Sequence, residues 1–65
     1  MRYVTIGNTY VAKKSIGPFE EGGVYTAFFW GTLWFRDEVQ SEDFMFPAPR
    51  FNVLLTKGYF EEIPG

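Results

Sequence analysis

The sequence contains neither cysteine nor histidine. Disulfide bonds, thiolate or imidazole metal ligands, the commonest general base and the strongest enzyme nucleophile are therefore all excluded. Its eight carboxylates occur as adjacent pairs, and neighbours along a strand point to opposite faces. Pairs in loops are free to converge, but a chain of 65 residues hardly offers the deep cleft that paired-carboxylate catalysis needs. We interpret these pairs as a solvated acidic surface and predict that the protein is not an enzyme.

The sequence also contains no motif that is typical of a metal or cofactor site. Asp37, Glu38, Glu42 and Asp43 flank one loop, where oxygen ligands could hold calcium weakly. Their spacing does not match an EF-hand, because the positional ligands and the central glycine are missing. The pair Gly22-Gly23 is not followed by the Lys-Ser/Thr of a phosphate-binding loop. We expect neither a metal nor a cofactor.

Basic residues and long apolar runs are scarce. Six Lys and Arg stand against eight Asp and Glu, which gives a formal net charge of −2 and argues against a nucleic-acid-binding protein. No run approaches the roughly 20 apolar residues of a membrane span. The start, Met1-Arg2-Tyr3, leads into alternating polar residues rather than the apolar core of a signal peptide. We expect a cytoplasmic protein with no membrane partner.

Aromatic residues are abundant, at 22% of the chain, with eight phenylalanines. A domain this small buries only about 60% of its unfolded surface and is marginally stable without additional help. Each large ring buries roughly 150–250 Å², so a few rings can build a core. We expect one domain over residues 1–65 with an aromatic core, and we keep homo-oligomerisation as an alternative source of stability.

The clearest local signal is a β-hairpin over residues 24–36. β-branched and aromatic residues flank Gly31-Thr32, and Gly at the first turn position suits a two-residue type II′ turn. This turn would place Phe29 opposite Trp34. One face would then carry Tyr25, Ala27, Phe29, Trp34 and Arg36, and the other Val24, Thr26, Phe28, Trp30, Leu33 and Phe35. Both faces are aromatic, and so short a chain can hardly bury both.

The remaining elements are predicted from turn residues and alternation. We expect strands over residues 2–6, 9–13 and 43–46, an acidic loop over 37–43 and a last extended piece over 59–63. A long connection over 15–23 should fold Ile16 and Phe19 back onto the core. Composition favours a strand over 51–55. The alternative there is a helix, because Phe51, Leu54 and Leu55 follow helical spacing and Pro49 suits a first helical turn.

These elements predict an all-β fold, a small barrel of about five short strands with one short helix or 3₁₀ turn as an alternative near the C-terminal third. Residues 18–25, Pro18-Phe19-Glu20-Glu21-Gly22-Gly23-Val24-Tyr25, and residues 46–51, Phe46-Pro47-Ala48-Pro49-Arg50-Phe51, carry a resemblance to SH3-like barrels. The resemblance covers most of the chain up to Leu55. The Ala-Leu-Tyr-Asp-Tyr run of eukaryotic SH3 domains is missing, so recognition of proline motifs is not carried over.

The compact, cysteine-free and aromatic-rich style is also similar to that of small accessory proteins of bacteriophages. Many of those bind and block a host protein. This resemblance implies a phage-encoded inhibitor that acts in the host cytoplasm.

The surplus of rings on the hairpin predicts a protein-binding site. Trp, Tyr and Arg are enriched at binding hot spots, so we assign partner contact to Tyr25, Phe29, Trp34 and Arg36. Asp37 and Glu38 would form an acidic rim suited to a partner with a basic edge. The alternative is that Phe29 and Trp34 are covered by the C-terminal tail or by a second copy of the chain.

Two other functions stay open. A small barrel can bind single-stranded nucleic acid by stacking bases on exposed rings beside a basic groove. Here the rings of Tyr25, Phe29 and Trp34 would act with basic residues elsewhere in the chain. Those residues are Lys13, Lys14, Arg50 and Lys57. The other function is that of a structural subunit in a larger assembly.

Overall fold

The computed structural model describes all 65 residues, which form five antiparallel strands and one helix. The elements are β1 (Thr9–Ala12), β2 (Val24–Phe29), β3 (Leu33–Asp37), β4 (Glu42–Met45), α1 (Ala48–Thr56) and β5 (Phe60–Ile63). The strands lie side by side in the order β4-β3-β2-β1-β5. The predicted all-β fold with about five strands and one short helix near the C-terminal third is confirmed. The helix is too short to cross a membrane.

The β2–β3 hairpin forms, but its expected register is wrong by one residue. Phe29 pairs with Leu33 and Phe28 pairs with Trp34, so the loop has three residues, 30–32, rather than two. The middle residue, Gly31, has φ of 73°, a left-handed conformation that glycine adopts readily. A shift of one residue exchanges the two faces of a strand. β3 therefore keeps its predicted faces, with Leu33 and Phe35 in the core, whereas β2 turns Tyr25 and Ala27 to the core in place of Thr26 and Phe28.

A cluster of aromatic rings forms the core between the sheet and α1. Six of the ten buried residues are aromatic, and Phe19, only 1% exposed, lies among them. Its ring contacts residues from β2, β3, β4, α1, β5 and the segment before the helix. These are Tyr25, Phe35, Phe44, Phe46, Phe51 and Phe60. The prediction that the long connection folds back onto the core through Phe19 and the half-buried Ile16 is confirmed.

Tyr25 joins this core rather than the surface. Its side chain is 1% exposed, and its hydroxyl accepts the backbone N–H of Glu20 at 2.8 Å. The ring passes so close to Gly23 that a Cβ there would lie 2.4 Å from the hydroxyl oxygen. The absence of a side chain at position 23 therefore gives Tyr25 room to turn inward.

Residues 48–56 form a helix, so the strand that composition favoured there is wrong and the helical alternative is confirmed. Pro49 lies in the first turn, where its missing N–H costs nothing. Phe51 and Leu55 are fully buried, whereas Val53 is 40% exposed. A strand would have buried position 53 on the same face as 51 and 55, but the helix places only positions 51 and 55 on the core.

The predicted strand over residues 2–6 is also wrong. Backbone N–H groups of this segment bond to side chains instead of a neighbouring strand. The N–H of Val4 donates to Asn52 Oδ1 at 2.7 Å, and that of Arg2 donates to Thr56 Oγ1 at 2.9 Å. The N–H of Thr5 donates to the hydroxyl of Tyr10 at 2.8 Å. Side chains of α1 and of Tyr10 in β1 thus replace a strand partner.

The other expected elements appear with shifted ends. The predicted strand over 43–46 corresponds to β4, and the predicted extended piece over 59–63 corresponds to β5. The predicted acidic loop over 37–43 is shorter in the structure, because Asp37 ends β3 and Glu42 begins β4. Only residues 38–41 form the turn.

The carboxylate of Glu62 connects the two ends of the chain. It accepts hydrogen bonds from Tyr10 Oη at 2.7 Å, Asn8 Nδ2 at 3.0 Å and Arg2 Nη2 at 3.1 Å. These bonds lower the pKa of Glu62 below its ordinary 4.5, and the bond from Tyr10 is the largest cause. Burial, and then the bond to Glu62, raises the pKa of Tyr10 to about 12. The folded state is thus adapted to an ionised Glu62 and a neutral Tyr10.

We predict that Phe19→Ala unfolds the domain. Removal of a buried Phe side chain typically costs about 3–5 kcal/mol, close to the whole stability of a domain this small. The circular dichroism spectrum and the amide dispersion in a ¹H–¹⁵N NMR spectrum should show loss of structure. Phe29→Ala, which removes an equal ring that is 65% exposed, should leave both spectra native-like. A Phe19→Ala variant that keeps the dispersed spectrum would contradict the central role of this ring.

We predict that Glu62 makes stability depend on acidity. Because the pKa of Glu62 is lower in the folded state, its contribution is present above the unfolded value of about 4.5 and is lost as pH falls through the folded value. Glu62→Gln should lower the free energy of unfolding at pH 7 by about 1–2 kcal/mol and flatten its fall between pH 5 and pH 3. Urea denaturation at several pH values measures both effects.

Glu61→Gln is the matched control, since Glu61 is adjacent in sequence, exposed and on the opposite face of β5. The free energy of unfolding of Glu61→Gln should change with pH in the same way as that of the wild type. If Glu62→Gln lowers the free energy of unfolding equally at pH 7 and pH 3, the ionised form of Glu62 adds no stability of its own and the prediction is wrong.

Candidate interaction surface

An apolar row crosses three strands on the face of the sheet that points away from the core. Phe28 of β2 lies opposite Trp34 of β3, which lies opposite Met45 of β4. Directly opposite residues share a face and lie about 5 Å apart at Cβ. Trp30, at the tip of the hairpin, extends the row. We call Phe28, Trp30, Trp34 and Met45 the outer aromatic row.

The rings of this row hold one another in place. The planes of Phe28 and Trp34 are nearly parallel, at 18°, with centroids 6.2 Å apart. Trp34 Nε1 donates to the carbonyl oxygen of Trp30 at 3.1 Å, and the two indoles are 6.1 Å apart. Trp30 nevertheless remains 76% exposed and Met45 61% exposed. The row is therefore a preformed apolar surface in contact with water.

A polar row runs beside it. The Arg36 guanidinium binds both carboxylate oxygens of Asp43, at 3.0 and 3.2 Å, across the β3–β4 pair. The Thr26 hydroxyl donates to Glu38 Oε2 at 2.7 Å. Glu61 lies on the same face of β5. This face therefore carries three carboxylates, Glu38, Asp43 and Glu61, and one arginine.

Four of the six predicted contact residues can be placed relative to this face directly. Trp34 and Arg36 lie on it together, as expected. Tyr25 does not, because it is buried in the core. Phe29 is exposed, but it pairs with the core residue Leu33 and so lies in a row of the opposite face, at the hairpin end.

The two predicted rim residues have defined roles in the turn after β3. Asp37 pairs with the buried Tyr25, and its Oδ1 accepts the backbone N–H groups of Val39 and Gln40 at 3.0 and 3.1 Å. Asp37 therefore shapes the turn. Glu38 reaches the outer face through Thr26, so it remains available at the rim.

Sequence reasoning missed Phe28, Trp30 and Met45 as surface residues. Phe28 was missed because a two-residue turn places it on the opposite face from Trp34, and Met45 was missed because its face depends on the pairing of β4 with β3. A three-residue hairpin loop with a left-handed glycine is also common, and that alternative would have recovered Phe28. The C-terminal tail pairs with β1, two strands away from β3, so it leaves this row uncovered.

The groups with shifted pKa values lie on the core-facing side of the sheet. They are Glu62, Tyr10 and Tyr25, and burial is the main cause that raises the pKa of Tyr25. No group of three or more acidic side chains converges as a metal site. The outer face thus offers apolar contact and negative charge to whatever approaches it.

The comparisons with known proteins add no relative to this geometry. No protein-family model, no curated protein and no solved structure matches the chain.

Proposed function

We propose that this protein is a non-enzymatic protein-binding module that contacts its partner through the outer aromatic row. The observation that carries this proposal is a pair of tryptophans, fixed by a hydrogen bond and ring contacts, of which Trp30 stays 76% exposed. Tryptophan is the side chain most typical of binding hot spots. A preformed surface also avoids the entropic cost of ordering side chains on binding.

Charge defines the partner further. Asp43 lies in the neighbouring row, paired with Arg36, and Glu38 and Glu61 lie farther along the same face. A partner with an apolar spot and a basic edge is complementary to this pattern. Burial of about 300 Å² of apolar surface yields roughly 7 kcal/mol before association costs, so the partner must cover the rim as well as the rings.

The biological setting of the proposal is a phage-encoded inhibitor that acts on a host protein in the cytoplasm. This part rests on the residue pattern that resembles SH3-like barrels and small phage proteins, and on nothing else.

Single-stranded nucleic acid is the second candidate, and the geometry favours it less. Base stacking next to a basic groove requires rings and cations on one surface. The outer aromatic row lies on one face of the sheet, whereas Arg50 and Lys57 belong to the helix side, where Phe51 and Leu55 pack on the other face. Arg36 is the cation nearest to the outer aromatic row, and it is already paired with the carboxylate of Asp43.

We predict that a double variant, Trp30→Ser with Met45→Ser, loses partner binding while it stays folded. Both side chains are more than half exposed, so their removal leaves the core intact. In pull-downs from a bacterial lysate, a stoichiometric partner should be captured by the wild type and retained at least about tenfold less by the variant. Val39→Ser, which removes a side chain that is 71% exposed from the nearby turn, should capture the partner normally.

Other outcomes point elsewhere. A partner that persists in the double variant but is lost in Phe29→Ser would place the site on the opposite face at the hairpin end. A wild-type mass that rises with concentration, and falls to the monomer value in the double variant, would identify the row as a contact between copies. Binding of a labelled oligonucleotide at low salt that the double variant abolishes would favour the nucleic-acid function.

A further inference from the structure

A cavity of 170 Å³ lies between the long β1–β2 loop and the helix, on the side of the molecule that the outer aromatic row does not use. We call it the loop–helix cavity. It is lined by Ile16, Gly17, Pro18, Phe46, Arg50 and Leu54. A cavity of about 150 Å³ holds a benzene molecule, so this one has room for a single large apolar side chain.

The loop wall of the cavity is held in place. Two backbone hydrogen bonds join Ile16 and Phe19. The N–H of each residue donates to the carbonyl oxygen of the other, with N···O distances of 2.8 and 2.9 Å. Phe19 is fixed in the centre of the core. The residues between them, Gly17 and Pro18, are therefore positioned by the same contacts that stabilise the domain, and the cavity exists before any ligand arrives.

The basic residues are divided between two environments. Arg2 and Arg36 are ion-paired, with Glu62 and Asp43 respectively. The other four form no salt bridge, and one of them, Arg50, lines the cavity. They are Lys13, Lys14, Arg50 and Lys57.

Tyr59 connects the start of the loop with the end of α1. Arg50 lies four residues before Leu54 on the helix, so the two side chains share one side of it, and Lys57 is the C-cap residue. The Lys13 N–H donates to the Tyr59 carbonyl at 2.8 Å, and the Tyr59 N–H donates to Leu54 at 3.2 Å. Lys14 Nζ lies 4.5 Å from the centre of the Tyr59 ring. The start of the loop is therefore held against the end of the helix, next to the cavity residue Leu54.

We propose that the loop–helix cavity binds an acidic peptide segment that inserts one apolar side chain. The apolar lining accepts the side chain, and Arg50 offers a planar guanidinium that can hold a carboxylate through two hydrogen bonds. The Arg50 guanidinium forms no salt bridge in the structure, so it is free to make these bonds. This ligand differs in charge from the basic-edged partner of the outer aromatic row, so the two sites are independent and can fail separately.

The lining favours a peptide over a nucleic acid strand. The only ring in it is Phe46, which packs edge-on against Phe19 at 5.0 Å and Phe51 at 6.4 Å. Base stacking needs exposed ring faces. The cavity instead presents the ends of aliphatic side chains, which suit a leucine or phenylalanine side chain.

The test is an NMR titration of the ¹⁵N-labelled wild-type protein with three capped pentapeptides. The first has a central leucine flanked by two acidic residues on each side, the second replaces leucine with serine, and the third replaces the acidic residues with lysine. The first should give saturable shifts at residues 15–18, 46 and 50–54. The serine peptide should bind at least about tenfold more weakly, as expected for loss of a buried leucine side chain, and the lysine peptide should not bind.

A charge variant isolates the role of Arg50. Arg50→Gln should weaken the leucine peptide about fivefold or more, as expected for loss of a charge-assisted bond. Arg36→Gln changes the net charge equally but lies on the outer face, so it should leave the affinity unchanged.

Several results would overturn the proposal. They are the absence of saturable shifts at millimolar peptide, equal affinity for the leucine and serine peptides, shifts confined to the outer aromatic row, or tighter binding of an oligothymidine at the same residues. The comparison of peptides uses only the wild type, so it decides the question even if Arg50→Gln does not fold.

Discussion

The ring of Phe19 lies where four of the five strands and the helix meet, although a loop contributes it. The centroids of six other rings are between 4.9 and 5.7 Å from its own. Aromatic pairs of this kind add about 0.5–1.5 kcal/mol each beyond the area they bury. In a chain without disulfides and with ten buried residues, this packing supplies much of what a larger core would. It also fixes the loop wall of the cavity, so stability and one candidate site depend on the same residue.

Local patterns predicted the parts of the fold that local physics determines. The β-branched and aromatic run over residues 24–36 does form a hairpin, and the apolar Phe19 in a polar loop does enter the core. The register could not be fixed in this way. Both faces of the hairpin are aromatic, so burial did not distinguish the two alignments, and Gly31 is compatible with a loop of two or three residues. The backbone of residues 2–6 bonds to Asn52 and Thr56, which lie about 50 residues away and leave no signal in its own sequence.

The residues of the candidate surface were likewise predictable only where the sequence of one strand is enough to determine its faces. Trp34 and Arg36 were identified correctly as residues of one face, because any alignment of β3 keeps two residues of the same parity together. Tyr25 was assigned to that face only through the wrong register, and the structure buries it. The position of Arg50 at the loop–helix cavity depends on the packing of loop against helix, which no short stretch of sequence contains.

The net charge of −2 is an average over surfaces that a ligand meets separately. The Cα atoms span 25 × 23 × 22 Å, whereas electrostatic interactions in physiological salt are screened over about 8 Å. A molecule that approaches the carboxylates of the outer face therefore scarcely senses Arg50 at the loop–helix cavity, and the reverse also holds. The charges within one screening length of each site, and not the isoelectric point, decide what that site attracts. A single domain of this size thus has room to hold two different molecules at once, one on each side.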